Sequence, residues 1–308
     1  MNTLKYIVKR ILISIPVLVG VMLIIFLLLN VVPGDPITLM MREHIKPALI
    51  ESMRQKMGLD DPVMVRFGRY IVDALHGDFG ISYKLNRNVT DLITSAFPNT
   101  LRLSIFAALI AWIIGIPVGI VSAIKQNTLI DKVFMSFSLL GVSMPVFWAA
   151  LLLQYVLAFK LKLLPVSGYA TWKHLLMPAL VLGWSSSGTI SRLTRSSLLE
   201  IMKNDFVRTA RAKGLKESVV VVGHALKNAM LPVVTVMAIQ VASLLSGAVI
   251  TESVFGIPGV GRLAVNAIQN RDMPLLQGTV VFTTMLIIAG NLIADILYSV
   301  IDPRIRVE

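Results

Sequence analysis

The feature that most constrains this chain is a run of apolar residues, Ile11–Val32, that contains no charged side chain. An α-helix needs about 20 such residues to cross the hydrocarbon core of a bilayer, so this run is long enough to span it. Lys5, Lys9 and Arg10 precede it, as in a secretory signal, but the run is too long for one and no small-residue cleavage site follows. We interpret it as a retained first span whose N-terminus lies in the cytoplasm.

Five further segments have the length and apolarity of membrane spans. They are Thr100–Ala123, Val133–Phe159, Leu175–Ile190, Val233–Val254 and Thr279–Ile301. Charged residues make up only 15% of the 308 residues, against about 25% in an average soluble domain, and 56% are hydrophobic. A soluble fold of this size could not bury so much apolar surface. The sequence therefore predicts an all-α polytopic membrane protein with about six transmembrane helices.

The fourth of these segments is the most polar. It contains Pro178, Gly183 and the run Ser185–Gly188. Small residues allow helices to approach closely in membranes, and serine can form hydrogen bonds between helices. The pattern favours a span buried inside the bundle, and the alternative is a polar loop beside a shorter span.

The placement of the basic residues decides what the net charge of +12 means. Lys125 and Lys132 lie between spans two and three, and eight basic residues lie between spans four and five: Arg192, Arg195, Lys203, Arg208, Arg211, Lys213, Lys216 and Lys227. Basic residues in short loops mark the cytoplasmic side, although the loop 160–174 also carries three lysines. We therefore expect both termini in the cytoplasm and no nucleic-acid partner.

Several kinds of chemistry find no support in the sequence. There are no cysteines, and the four histidines are scattered without metal-ligand spacing. No GxxxxGK[ST] phosphate-binding motif occurs, and the glycines of Gly256–Gly261 lack the Lys-Ser/Thr that such a loop needs. We predict a non-enzymatic chain without a metal site or a cofactor of its own.

Two stretches outside the spans are long enough to fold. In the segment 33–99, which we place on the outer side, helical patterns cover Ala48–Met57 and Val63–Leu75, and Pro62 suits the start of the second. The other stretch is the cytoplasmic segment 195–232.

The cytoplasmic segment carries a helix–turn–helix pattern. Asp205 is predicted to cap a helix over Phe206–Lys213, and Gly214 follows where a residue with positive φ ends many helices. A second helix is predicted over Lys216–Ala229, with Pro232 marking the start of the fifth span. Two interpretations remain open at this point: a rigid elbow that contacts a cytoplasmic partner, or a basic loop that only sets orientation.

The residues 205–215 and 224–233 resemble the EAA loop of ABC importer permeases, in the form found in dipeptide, oligopeptide and nickel permeases. Other parts of the chain are similar to the same family. These parts are Val31–Pro36, Gly77–Gly80, Pro98–Leu101, Glu252–Leu263 and Asp302–Arg304. The Glu-Ala-Ala that names the loop is replaced by Arg208-Thr209-Ala210, which puts in doubt any salt bridge that the glutamate would make.

The resemblance implies the ABC type I importer permease fold, with residues 1–308 forming a single transmembrane permease domain in the inner membrane. It implies a first permease that pairs with a second homologous permease, two ATP-binding subunits that hold ATP and Mg²⁺, and an extracytoplasmic substrate-binding protein. The residues that would couple the chain to the ATPase are Asp205, Arg208, Thr209, Ala210, Arg211, Ala212, Lys213, Gly214 and Leu215.

A few polar residues inside or beside the spans are candidates for the path of the substrate. Gln154, Gln240 and Asn291 are uncharged candidates for the pore lining, and Glu252 is a candidate for the gate at the outer end of span five. We expect Asp295 to pair with Arg192 or Arg195, or to reach the interface.

The cargo is left open by the sequence. A peptide importer is the leading hypothesis, because a polar but uncharged path suits peptides, which share a backbone and vary in side chain. A nickel importer of the same family is the alternative. A secondary transporter that acts alone is the rival from another class, although the carboxylates and broken helices typical of its midplane are not evident.

Overall fold

The computed structural model describes residues 3–31, 58 and 60–301, and the predicted helix Ala48–Met57 lies outside these residues. The helices are α1 (Thr3–Val31), α2 (Val63–Leu75), α3 (Val89–Ile124), α4 (Leu129–Ser143), α5 (Val146–Lys160), α6 (Trp172–Ile201), α7 (Asp205–Ala212), α8 (Glu217–Leu245), α9 (Val249–Val254), α10 (Val260–Gln269) and α11 (Met273–Ile301). The described residues contain no β-sheet, which confirms the all-α prediction.

Four helices in the described part of the chain, α1, α3, α8 and α11, are long and apolar enough to cross a membrane. The predicted third span, Val133–Phe159, is not a single helix, because α4 and α5 meet at an angle of 106°. The break falls at Met144 and Pro145, since a proline disfavours helical geometry in the residue before it, and Met144 is extended. The sixth predicted span corresponds to α11.

Helix α6 is the centre of the bundle. It runs for 30 residues and packs most extensively against α3, where glycines leave no room for a side chain. A Cβ atom on Gly119 would lie 2.6 Å from the carbonyl oxygen of Ser191. Ser187, Ser191 and Thr194 are buried, so the helix lies inside the bundle as predicted, but α6 is not among the helices that are apolar enough to cross a membrane by length and composition.

Two predicted boundaries do not coincide with the ends of the helices. Helix α3 begins at Val89, so the last part of the predicted outer segment 33–99 already forms its first three turns. The predicted span Val233–Val254 ends at Leu245, and Gly247, with φ of +109°, separates it from the short helix α9. The residues remain mostly apolar through this turn, so nothing in the sequence indicated that the helix ends there.

The segment before α3 is fixed to the start of α11 by a buried carboxylate. Asp272 is almost fully buried and accepts hydrogen bonds from the Ser82 hydroxyl, from the Tyr83 amide at 3.1 Å and from the Lys84 amide at 3.3 Å. An apolar cluster that includes Phe26, Phe67 and Leu275 joins α1, α2 and α11 beside it. The described part of the outer segment is therefore attached rigidly to the bundle.

Candidate functional site

The elbow predicted between spans four and five is present. Helix α6 ends at Ile201, a three-residue turn leads into α7, and Gly214, with φ of +78°, turns the chain into α8. Val207 and Ala210 on the inner face of α7 are buried in a cluster with Leu198 of α6 and with residues of α8. Apolar packing thus fixes α7 against both neighbouring helices.

The cap of α7 differs from the prediction. Asn204, not Asp205, occupies the N-cap position, and its side chain makes no capping hydrogen bond. Asp205 is the first residue of the helix, where a negative charge interacts favourably with the helix dipole. The observed helix is one residue shorter at its end than the predicted one, because Lys213 already adopts the C-cap conformation.

The predicted coupling residues divide into two groups. Ala210 is buried and serves packing, whereas Asp205, Arg208, Thr209, Arg211, Ala212, Lys213, Gly214 and Leu215 are exposed. Phe206 is also exposed and was not among the predicted residues. The sequence did offer a signal for Phe206. It is a large apolar side chain next to Val207 on an otherwise charged helix. The exposed surface of the elbow therefore presents two apolar side chains, Phe206 and Leu215, among charges.

An ion pair spans the turn at Gly214. The guanidinium of Arg211 donates hydrogen bonds of 3.1 and 2.7 Å to the two carboxylate oxygens of Glu217. These hydrogen bonds raise the pKa of Arg211 above its usual value, so that side chain stays charged. A cavity of about 340 Å³ lies behind the pair, between the ends of α3 and α6 and the start of α8. The partly exposed pair therefore joins α7 to α8 across the turn, and the elbow has free volume beside it.

Helix α8, which forms the second arm of the elbow after α6, is longer than predicted. Pro232 does not begin a new helix, since α8 continues through it from Glu217 to Leu245 with a π-helical turn at Val220–Ala225. Proline is tolerated inside membrane helices because local adjustments satisfy the backbone groups that it frees. The segment 195–232 therefore also contains the end of α6 and the first half of a membrane helix.

A buried ion pair lies close to the elbow, between α4 and α6. Arg195 donates hydrogen bonds of 2.8 and 2.7 Å to Asp131, and the Asn127 amide donates a third at 2.9 Å. Of the two alternatives for Asp295, the pairing with Arg192 or Arg195 is wrong, because Asp295 lies 3.2 Å from Arg10 of α1, while its partly exposed side chain leaves the interfacial alternative open. Sequence periodicity gave no signal for either pairing, because each joins helices that are far apart in the chain.

Glu252 is the most enclosed of the predicted path residues. It is fully buried, accepts a hydrogen bond of 2.7 Å from the Thr100 hydroxyl and another of 2.9 Å from the Arg262 amide. The carboxylate lies against Gly259 and Gly261, where a Cβ atom would collide with it. In this conformation Glu252 fastens the turn between α9 and α10 to α3.

Two of the three amides make hydrogen bonds, and these join different elements. Gln154 donates to the carbonyl oxygens of Val166 at 2.9 Å and Val254 at 3.3 Å, which joins α5 to the turn after it and to α9. Gln240 donates to the carbonyl oxygen of Ser186 at 3.2 Å, and its own side-chain oxygen is buried without a hydrogen-bond partner among the described residues. Asn291 is exposed on α11. No hydrogen bond among the described residues joins any two of the four candidates.

Metal-ligating side chains do not gather in the described ranges, where no three of the His, Asp and Glu residues come close enough to hold an ion. Gln154, Gln240 and Glu252 make structural hydrogen bonds. The elbow provides an exposed helix, α7, that packs against two longer helices of the bundle.

Comparison with known families gives matches over almost the whole chain. The model described as "Binding-protein-dependent transport system inner membrane component" matches residues 115–307, and its N-terminal counterpart matches residues 3–104. The chain is 38% identical to the dipeptide transport system permease protein DppB of Alkalihalophilus pseudofirmus, covering 98% of this chain and 99% of that one. It is 40% identical to the glutathione transport system permease protein GsiC of Escherichia coli, with the same coverage.

Solved structures share the fold at low sequence identity. The MetNI methionine ABC transporter in an inward-facing conformation aligns with a TM-score of 0.59 at 16% identity, over 68% of this chain and 96% of that one. An amino acid ABC transporter aligns with a TM-score of 0.52 at 18% identity, over 70% of this chain and 94% of that one. These two matches concern the fold alone.

Proposed function

The chain belongs to the family of binding-protein-dependent transport system inner membrane components, and we propose that it works as the translocation-channel subunit of an ATP-driven peptide importer. Relatives named as dipeptide and glutathione permeases support a peptide cargo, because both cargoes are short peptides. The chain is an inner-membrane protein with several spans and a non-enzymatic channel role.

The observation that carries this proposal is the elbow. Its first arm, α6, is the buried central helix of the bundle, and its second arm, α8, is long and apolar enough to cross a membrane. Its tip, α7, is an exposed helix that packs on both arms through an apolar cluster. A partner that moves α7 therefore moves two helices of the bundle together. This is the geometry of a two-state element whose equilibrium a partner can shift.

The finer assignments of the proposal concern partners and orientation. We assign ATP hydrolysis to two separate ATP-binding subunits that dock on α7, and the second half of the channel to a homologous permease. A substrate-binding protein delivers the cargo on the other side. The basic residues of the elbow support a cytoplasmic position for α7 and hence for both termini. Asp205, Arg208, Lys213 and Leu215 are the exposed residues that we assign to the docking surface.

Reconstitution tests the whole assignment. The tagged chain is purified from its native membrane, the copurifying subunits are identified, and the complex is placed in liposomes with ATP inside. We expect two ATPase subunits and a second permease to copurify, and labelled dipeptide uptake to require ATP. Uptake by the chain alone would support a secondary transporter instead, and uptake of Ni²⁺ without peptide would support the nickel alternative.

The turn at Gly214 provides the sharper test of the elbow. A Cβ atom there meets no neighbour within 4 Å, so Gly214→Val introduces backbone strain rather than a collision. A β-branched residue in a sparsely populated region costs about 1–3 kcal/mol. We expect assembled complexes whose ATP hydrolysis no longer drives peptide uptake.

Two control variants distinguish the effect of backbone strain from the effect of replacing a glycine. Gly214→Asn should retain uptake, because asparagine adopts positive φ more readily. Gly223→Ala, at a helical glycine of α8 whose added Cβ would lie 3.9 Å from its nearest neighbour, should also retain it. Equal transport by Gly214→Val and the unmodified complex would remove the elbow from the mechanism.

A further inference from the structure

Helix α2 has an apolar face that no described residue covers. Met64, Val72 and Leu75 lie on one side of the helix, with Gly68 between them, because positions four and three apart align along a helix. Leu75 is 80% exposed and Met64 is 60% exposed. Single exposed apolar residues are ordinary, but an aligned set indicates a surface that contacts something apolar.

A second face of α2 rests on the membrane span α1. The ring of Phe26 in α1 lies 5.4 Å from the ring of Phe67 and 6.2 Å from that of Tyr70. The guanidinium of Arg66 lies 5.9 Å from the centre of the Phe26 ring. The exposed stripe of α2 therefore has a fixed direction relative to α1.

The position of this contact along α1 sets the depth of α2. Phe26 precedes the last helical residue, Val31, by five positions, which corresponds to about 7–8 Å along the axis. On the same stretch of α1, Ile24 and Leu28 are exposed at 58% and 61%, as expected of a surface facing lipid. Amphipathic helices that lie in a membrane interface bury their apolar face about 5–10 Å into the boundary between headgroups and acyl chains.

We propose that α2 is an interfacial helix that lies in the leaflet surrounding the end of α1 distal to the N-terminus. Its stripe of Met64, Val72 and Leu75 contacts phospholipid acyl chains and continues the lipid-facing surface of α1. The charged residues Arg69 and Asp73 are exposed and lie between the stripe and water, where headgroups can solvate them. The occupant of this face is thus lipid.

Site-directed quenching tests this placement, and the absence of native cysteines in the chain makes labelling simple. The variants Met64→Cys, Val72→Cys and Leu75→Cys carry a fluorophore in the assembled complex, in vesicles of phosphatidylethanolamine and phosphatidylglycerol. The quenchers are a phosphatidylcholine with a nitroxide near its headgroup, and aqueous iodide. Asp73→Cys on the same helix is the matched aqueous control, and Leu28→Cys on α1 is the lipid control.

We expect the three stripe labels to be quenched by the nitroxide lipid at least about twofold more strongly than the Asp73 label, as an interfacial position requires. Stronger quenching of the stripe by iodide than by lipid would overturn the proposal. Protection from both quenchers would also overturn it, since protein would then cover the stripe: either residues 32–57 of this chain or a partner subunit. Val72→Trp with brominated lipid repeats the measurement without a bulky label, and copurification of the other subunits confirms assembly.

Discussion

Replacing Asp131 by asparagine removes one charge from a buried pair while keeping the shape of the side chain. Asp131 is 3% exposed and receives two hydrogen bonds from Arg195 and one from the Asn127 amide. Asparagine has one acceptor oxygen instead of two, and its NH₂ group would face a donor. Arg195 would keep its charge without a counter-charge, and the attachment of α4 to α6 next to the elbow would weaken.

The size of the effect follows from burial. Removing one partner of a buried ion pair costs about 3–5 kcal/mol. The Arg195 side chain is 24% exposed, so water can solvate part of the unpaired charge, and we expect the lower end of that range, about 3 kcal/mol. With about 2–4 °C of midpoint shift for each kcal/mol, the unfolding midpoint should fall by about 6–12 °C.

Thermal unfolding of the purified complex, followed by tryptophan fluorescence, measures this shift. Asp61→Asn is the matched control, because Asp61 pairs with Arg69 at the surface, where such pairs contribute about 0–1 kcal/mol. The double variant Asp131→Leu with Arg195→Met should recover most of the lost stability, because apolar replacement of a buried pair is often neutral. A midpoint for Asp131→Asn within about 2 °C of the unmodified complex would refute the reasoning.

Three further predictions concern the other contacts. Glu217→Gln removes the ion pair with Arg211, and we expect less peptide transported per ATP hydrolysed at an unchanged unfolding midpoint; an unchanged ratio would contradict this. Gly261→Ala places a Cβ atom 2.9 Å from the Cα of Val249, so we expect a loss of about 1–3 kcal/mol in thermal unfolding, and no loss would show that the turn can yield. If Gln240 lines the path, Gln240→Leu should lower peptide uptake without reducing assembly, whereas normal uptake would assign it to packing alone.

Local patterns in the sequence predicted the local structure well. Helix α2 matches its predicted bounds because its apolar periodicity is strong and Pro62 precedes it. The turn at Gly214 was predictable because glycine adopts positive φ without steric cost. The burial of α6 followed from its small residues, which pack against α3.

Features that depend on distant parts of the chain were not predictable from one sequence. The partner of Asp131 lies 64 residues away, and that of Glu252 lies 152 residues away, so no local pattern indicates either contact. Pro232 was misinterpreted for a different reason, because a proline that starts a helix and one that is tolerated within a membrane helix look alike in sequence. Pro145 was the sequence signal for the break between α4 and α5. The apolarity of the whole segment favoured a single span, and the prediction followed it.

Because α8 is one continuous helix, a small rotation at one of its ends is enough to displace the other end by several ångströms. Its 29 residues extend for about 43 Å at 1.5 Å per residue, measured from the turn beside Gly214 to Leu245. A rotation of about 5° at one end would displace the other end by about 4 Å if the helix stayed straight, which exceeds the diameter of a water molecule. A nearly imperceptible change of angle at one surface could therefore decide whether solvent passes at the opposite one.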